Sequence, residues 1–164
     1  MTTTTKEEQF LSKAISLATD NVYNSGGPFG ALIVTLDGRS FEGANRVTAN
    51  NDPTAHAEVM AIRNACASLE TFDLSGSTLY TSCEPCPLCL SAALWARVDA
   101  VVFAADRNDA ARAGFDDAVF YDYFATPVED RSMPVRQYKL TTSAPVPASS
   151  PFEAWNSLTA RVDY

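Results

Sequence analysis

A single histidine, His56, stands in this chain of 164 residues, and it opens the segment His56-Ala57-Glu58. Downstream, three of the four cysteines crowd into Cys83-Glu84-Pro85-Cys86-Pro87-Leu88-Cys89. Any chemistry that needs an imidazole must run through His56. Cysteines packed this closely, in a chain that opens on threonine and charge, read as metal ligands or catalytic thiols before they read as disulfides. The two segments constrain the fold strongly, because both have to arrive at one point.

The chemistry available at that point follows from the residue types. Zinc takes nitrogen and sulfur ligands in tetrahedral geometry, and a hydrolytic zinc site has three protein ligands with a fourth position kept for water. His56, Cys86 and Cys89 supply one neutral nitrogen and two thiolates, which balance the charge of Zn²⁺ and make burial tolerable. Both segments fall where a loop enters a helix, and a helix N-terminus favours negative charge. Glu58, two residues past His56, is placed to act as a proton-moving base without ligating the metal. The H-x-E…P-C-x-x-C pattern is the signature of zinc nucleobase deaminases. Two other readings stay open: a closed structural site in which Cys83 is the fourth ligand, and an iron–sulfur run that lacks a fourth thiolate nearby. Cys83 itself reads as a buried non-ligand and Cys66 as a core thiol.

Twenty acidic residues against twelve basic ones give a formal charge of −8, and the lysines and arginines form no run. That argues against nucleic acid as a partner and for a small, neutral or weakly charged substrate. No apolar stretch approaches the roughly 20 residues of a membrane span, and no secretory leader is visible, so the expected location is the cytosol.

The apolar pattern predicts a helix over residues 6–24, broken by Gly26-Gly27-Pro28. Strands are predicted at 31–34 and 40–47, joined through a two-residue hairpin signal at Asp37-Gly38. A turn at 50–53 leads to Thr54 as the cap of a helix over about 55–69. A strand at 77–82, a helix over about 87–97 and a strand at 98–105 follow, the last apolar enough for a central position. A short helix over 107–113 ends at Gly114. Residues 118–124 are of undetermined type, 135–141 alternates like a strand, and Ser150-Pro151 opens a last helix over 152–162. This order makes one domain over 1–164, with a flexible start at 1–6, folded as a three-layer α/β/α sandwich.

Over residues 52–117 the chain resembles the cytidine-deaminase superfamily, and within it the bacterial-type guanine deaminases. The resemblance rests on Asp52 to Glu58, Ser82 to Cys89, Trp95-Ala96-Arg97 and Gly114-Phe115-Asp116-Asp117. Gly26 to Gly30 extends it upstream, and Ser150 to Trp155 with the final Tyr164 extends it downstream. It implies a central five-stranded mixed sheet and one Zn²⁺ per subunit. The implied reaction is hydrolysis of guanine to xanthine and ammonia; another base, a nucleoside or an aminotriazine is the alternative substrate, with tRNA adenosine as a further rival. It implies a homodimer in which about 106–164 is exchanged, so that Tyr164 closes the neighbouring site. It also gives Asn45 and the Ala57 N–H to the base's carbonyl edge, Phe29 and Trp95 to its walls, and Asp117 a catalytic place at its amino group, where it helps to shuttle protons. From the residues alone, Trp95 also reads as core, Asp117 as a turn aspartate and Asn45 as a turn residue.

Overall fold

Helix α1, Lys6–Tyr23, starts with a reciprocal cap. The Glu8 N–H donates to Thr5 Oγ1 at 3.2 Å, and the Thr5 N–H donates to Glu8 Oε2 at 2.7 Å, so two orphan donors are satisfied at once. A computed structural model describes residues 4–164. The flexible start expected at 1–6 therefore falls partly outside the described residues, while Thr5 and Lys6 belong to the cap and first turn of α1.

Four strands form one sheet: β1 (Gly30–Val34), β2 (Ser40–Ala44), β3 (Thr78–Cys83) and β4 (Ala100–Ala105), in the order β2-β1-β3-β4. β1 runs antiparallel to both its neighbours, and β3 runs parallel to β4. A parallel pair needs a crossover, and α4, Pro87–Trp95, supplies it. The β1–β2 connection is one residue longer than a two-residue hairpin. The Gly38 N–H donates to Thr35 O at 2.9 Å and Gly38 takes φ 85°, as in a turn followed by a left-handed residue.

Side-chain alternation divides the sheet between two helices. Ala31, Ile33 and Leu79 face α3, Ala57–Leu69, and pack against its Ala61, Ile62 and Ala65. Leu32, Val34 and Tyr80 face the other way, against Phe10, Leu11 and Leu17 of α1. Both helices sit unusually close. A Cβ on Gly43 would lie 2.2 Å from Ala57 O, and one on Gly30 would lie 2.4 Å from Ala14 O. Glycine at these two strand positions lets helix backbone rest on strand backbone from both sides.

The structure departs from the sequence pattern at several points. The sheet has four strands and not five, because residues 135–141 carry no regular structure among the described residues. Alternation alone makes no strand when the backbone finds no ladder to join. β4 lies at the edge of the sheet and is half exposed, where a fully buried central strand was expected; a continuous apolar run does not reveal which neighbours a strand will have. β2 stops at Ala44, and the short helix α2, Val47–Asn50, follows. Thr54 is not the cap of α3. Its N–H and Oγ1 both donate to Asp52 Oδ1, at 2.8 and 2.7 Å, and His56 takes the cap position.

The chain continues through α5, Arg107–Arg112, capped by Asp106, and α6, Ala118–Ala125. Its contacts divide it into two compact units, Met1–Asp122 and Tyr123–Tyr164. In the second unit Arg131 lies over the Tyr123 ring at 5.0 Å, and its Nε donates to Thr126 O at 3.1 Å. The last helix, α7, covers Ser150–Ser157 and is shorter than the pattern predicts, because Leu158 turns to extended backbone.

Candidate active site

Two helix starts meet at the site. His56 caps α3 and Cys86 caps α4, both with extended backbone, φ −69° and ψ 153° for the first, φ −69° and ψ 170° for the second. Neither side chain makes the capping bond to a backbone N–H that a serine or aspartate would make there. Both are therefore free to point at a common centre. Cys89, one turn into α4, completes the group.

His56 Nδ1 lies 3.6 Å from Cys86 Sγ and 3.4 Å from Cys89 Sγ, and the two sulfurs are 3.6 Å apart. A tetrahedral zinc with bonds of about 2.3 Å to sulfur and about 2.0–2.1 Å to nitrogen separates neighbouring ligand atoms by about 3.5–3.8 Å. The triangle fits that ion. Among the described residues these three form the group able to hold a metal. Cys83 is not part of it: its Sγ donates to Asp106 O at 3.6 Å, and burial pushes its thiol up to about 11. A four-ligand closed site therefore loses its fourth member. Cys66 is half-buried and packs against the α3 core, as a structural thiol does.

Glu58 stands beside the triangle. Its carboxyl is nearly sealed off, at 5% exposed, with Oε2 3.3 Å from Cys89 Sγ and Oε1 accepting from Thr81 Oγ1 at 3.2 Å. Burial raises its pKa from the ordinary glutamate value. The two thiols share one hydrogen bond, which holds Cys86 down at about 4 and pushes Cys89 up. The contact with Cys86 raises His56 in turn. A divalent cation would replace this proton sharing by drawing both sulfurs into the thiolate form.

A cavity of about 760 Å³ opens over the centre, and His56, Glu58 and Cys86 contribute to its lining. Three of the expected substrate residues also line it: Phe29, Asn45 and Asp117. Burial raises the Asp117 carboxyl, and the neighbouring Cys86 adds to the shift. Asn45 is buried, and its Oδ1 accepts from the Val47 N–H at 3.3 Å. Ala57 is fully buried as the first residue of α3. Trp95, expected as a wall, ends α4, is 69% exposed and does not line the cavity. Six residues past Cys89 it stands about 9 Å further along the helix and about 120° round it. Tyr164 belongs to the second unit, where it is exposed.

Some contributors escaped sequence reasoning. Phe115 lines the cavity and meets Phe29 edge to face, with ring centroids 5.1 Å apart. Glu84, beside the ligand loop, pairs with Arg107: Arg107 Nε donates to Glu84 Oε1 at 3.0 Å, and its guanidinium lies 4.1 Å over the Tyr121 ring. The Tyr121 hydroxyl donates to Pro85 O at 3.1 Å, so the loop between Cys83 and Cys86 is braced on α5 and α6. Only the position of Glu84 within the cysteine motif hinted at this.

Residues 4–105 match the family described as cytidine and deoxycytidylate deaminase zinc-binding region. Over 158 residues the chain is 49% identical to the guanine deaminase of Bacillus subtilis (strain 168), covering 96% of this chain and 98% of that protein. The X-ray structure of guanine deaminase from Bacillus subtilis matches with a TM-score of 0.89, over 98% of this chain and 99% of that one. A guanine deaminase structure from Nitrosomonas europaea, 33% identical, has a TM-score of 0.64 over 71% of this chain and 68% of that one. The tRNA-specific adenosine deaminase of Haemophilus influenzae is 35% identical over 119 residues, 71% of this chain and 68% of that protein. With a zinc-sized ligand triangle, a buried carboxyl beside it and a family match that runs from α1 to the end of β4, this chain belongs to the cytidine and deoxycytidylate deaminase family of zinc-binding enzymes.

Proposed function

We propose that this chain is a guanine deaminase, converting guanine and water to xanthine and ammonia. The observation that carries the reading is the Glu58 carboxyl, buried at the floor of the cavity within 3.3 Å of one corner of the His56–Cys86–Cys89 triangle. The 49% identity to the Bacillus subtilis enzyme supports guanine as the base.

His56, Cys86 and Cys89 would hold Zn²⁺, which supplies Lewis acidity and brings the pKa of a water down to about 7. Glu58 takes a proton from the attacking water and delivers protons to the ring and to the departing amine. The new C–O bond forms at C2, the C2–amine bond breaks, and ammonia leaves. Thr81 fixes one oxygen of Glu58 throughout, and the start of α3 favours its negative form. Phe29 and Phe115 give the flat base an apolar wall; Asn45 and the Ala57 N–H meet its carbonyl edge; Asp117 meets its amino group and helps Glu58 to shuttle protons.

The homodimer belongs to the same proposal, with the exchanged part of the expected 106–164 beginning only after Asp122, because Phe115 and Asp117 line this chain's own cavity, and with the partner's Tyr164 closing the site. Two facts support it: one side of β4 has no strand partner among the described residues, and neither has the alternating segment 135–141. No helix among the described residues is long and apolar enough to cross a membrane, in keeping with an enzyme of the cytosol. The relationship to tRNA-specific adenosine deaminases makes tRNA the rival substrate, and the formal charge of −8 weighs against it.

Ammonia release over guanine, cytosine, adenine, guanosine, cytidine and ammeline tests the assignment. Guanine should give the highest kcat/KM of the panel; turnover of another member with guanine left intact rejects the assignment. Deleting Tyr164 should raise KM for guanine if the tail closes a site, and unchanged turnover removes the tail from the proposal.

A further inference from the structure

We infer that Asn21, which does not line the cavity but bonds two residues that do, is a positioning residue for base recognition. The inference rests on the reading of Asn45 as a base-contacting residue. α1 buries Ala14, Ala18 and Asn21 along one face, so an amide occupies a position where the stripe calls for a small apolar side chain. Asn21 is 6% exposed and does not line the cavity.

Both hydrogens of its amide are committed. Nδ2 donates to Gly27 O at 2.8 Å and to Asn45 O at 2.7 Å, while Oδ1 accepts from Arg46 Nη1 at 3.4 Å. One side chain thus ties two separate pieces of wall, the Gly27-Pro28-Phe29 loop and the end of β2, to the last turn of α1. The close packing is mutual. A Cβ on Gly26 would lie 2.2 Å from Asn21 Nδ2, and one on Gly27 would lie 2.9 Å from Asn45 Oδ1. The Asn45 N–H also donates to Phe29 O at 3.1 Å. Asn21, Gly27, Phe29 and Asn45 therefore form one hydrogen-bonded unit in which Asn21 reaches the substrate through its neighbours.

Removing the amide leaves the buried Asn45 carbonyl and the part-buried Gly27 carbonyl without their donor, and the cost falls on the wall and not on the metal ligands. Asn21→Asp keeps the shape and loses the paired donors; Asn21→Ala makes room for water to bridge the carbonyls. With guanine as substrate, both variants should keep full zinc content and raise KM about tenfold or more, with kcat changing much less. The decisive comparison is a double-mutant cycle with Asn45→Ala. Where Asn21 acts through Asn45, its substitution adds little in the Asn45→Ala background. If the two effects on KM simply multiply, or if KM stays unchanged in the Asn21 variants, the inference is overturned. Failure of both variants to yield folded, zinc-loaded protein also overturns it, since Asn21 then serves the fold alone. If Asn45→Ala by itself leaves KM untouched, the reading of Asn45 has failed and the inference falls with it, whereas a raised KM in Asn45→Ala with none in the Asn21 variants overturns the inference alone.

Discussion

Thr81, fully buried at the centre of the sheet, donates its hydroxyl to Glu58 Oε1 at 3.2 Å. The bond joins β3 to the first turn of α3, because Thr81 and Leu79 share the face that α3 covers. A strand in the core thus aims the carboxyl that the proposed chemistry depends on. Glu58→Gln keeps an acceptor for Thr81 and keeps the volume, but it cannot take a proton. Zinc content and thermal midpoint should match the parent while kcat falls by at least roughly 10²-fold. Normal turnover of that variant would remove Glu58 from the mechanism.

The cysteines should separate cleanly by metal analysis. Cys86→Ser and Cys89→Ser lose most of their zinc and their activity, and stringent chelation of the parent abolishes turnover until zinc is restored. Cys83→Ser keeps its metal, because the Cys83 sulfur is engaged with Asp106 O and lies outside the ligand group. Loss of zinc in Cys83→Ser would revive the closed four-ligand site.

Gly43→Ala is expected to destabilise through backbone and not through a side chain that can swing away. The added carbon would meet Ala57 O at 2.2 Å and Ala61 N at 2.3 Å, so α3 must lift from β2. A loss of about 1–3 kcal/mol, read from urea midpoints, is the expected scale for forced overpacking. Since α3 also carries Glu58, kcat should drop as well. An unchanged midpoint would mean that the helix is not held as close as described.

Asp52 provides a pH test. The Thr54 hydroxyl, then its N–H, holds the Asp52 carboxyl below the usual aspartate value of 3.8. A carboxyl depressed in the folded state stabilises the fold above its unfolded pKa, and the contribution disappears as pH falls through the folded pKa. Thr54→Val removes the leading donor. Its urea midpoint should lie below that of the parent at about pH 7, and the gap should narrow below about pH 4. A gap that is constant with pH would show that the lost hydroxyl acts by packing alone.

The metal triangle was legible from the sequence because it needs little tertiary information. His56 and Cys86 are cap residues of two helices, and Cys89 is one turn further along the same helix as Cys86, so three atoms are placed by local geometry and one strand–helix meeting. Thr81 and Asn21 were not legible, since their roles depend on which element covers which face of the sheet. Asn21 did leave a trace: a polar residue at the buried spacing of Ala14 and Ala18. The fifth strand failed for the opposite reason. Residues 135–141 alternate as a strand should, but alternation specifies a face and not a neighbour.

The starts of α3 and α4 supply the metal corner and Glu58, while the cavity wall is carried by the loop after α1, the end of β2 and the turn between α5 and α6. The metal corner and most of the rest of the wall thus come from separate stretches of chain. If the wall chooses the base as proposed, an engineer seeking a new heterocycle would begin at Phe29 and Phe115 and leave His56 alone.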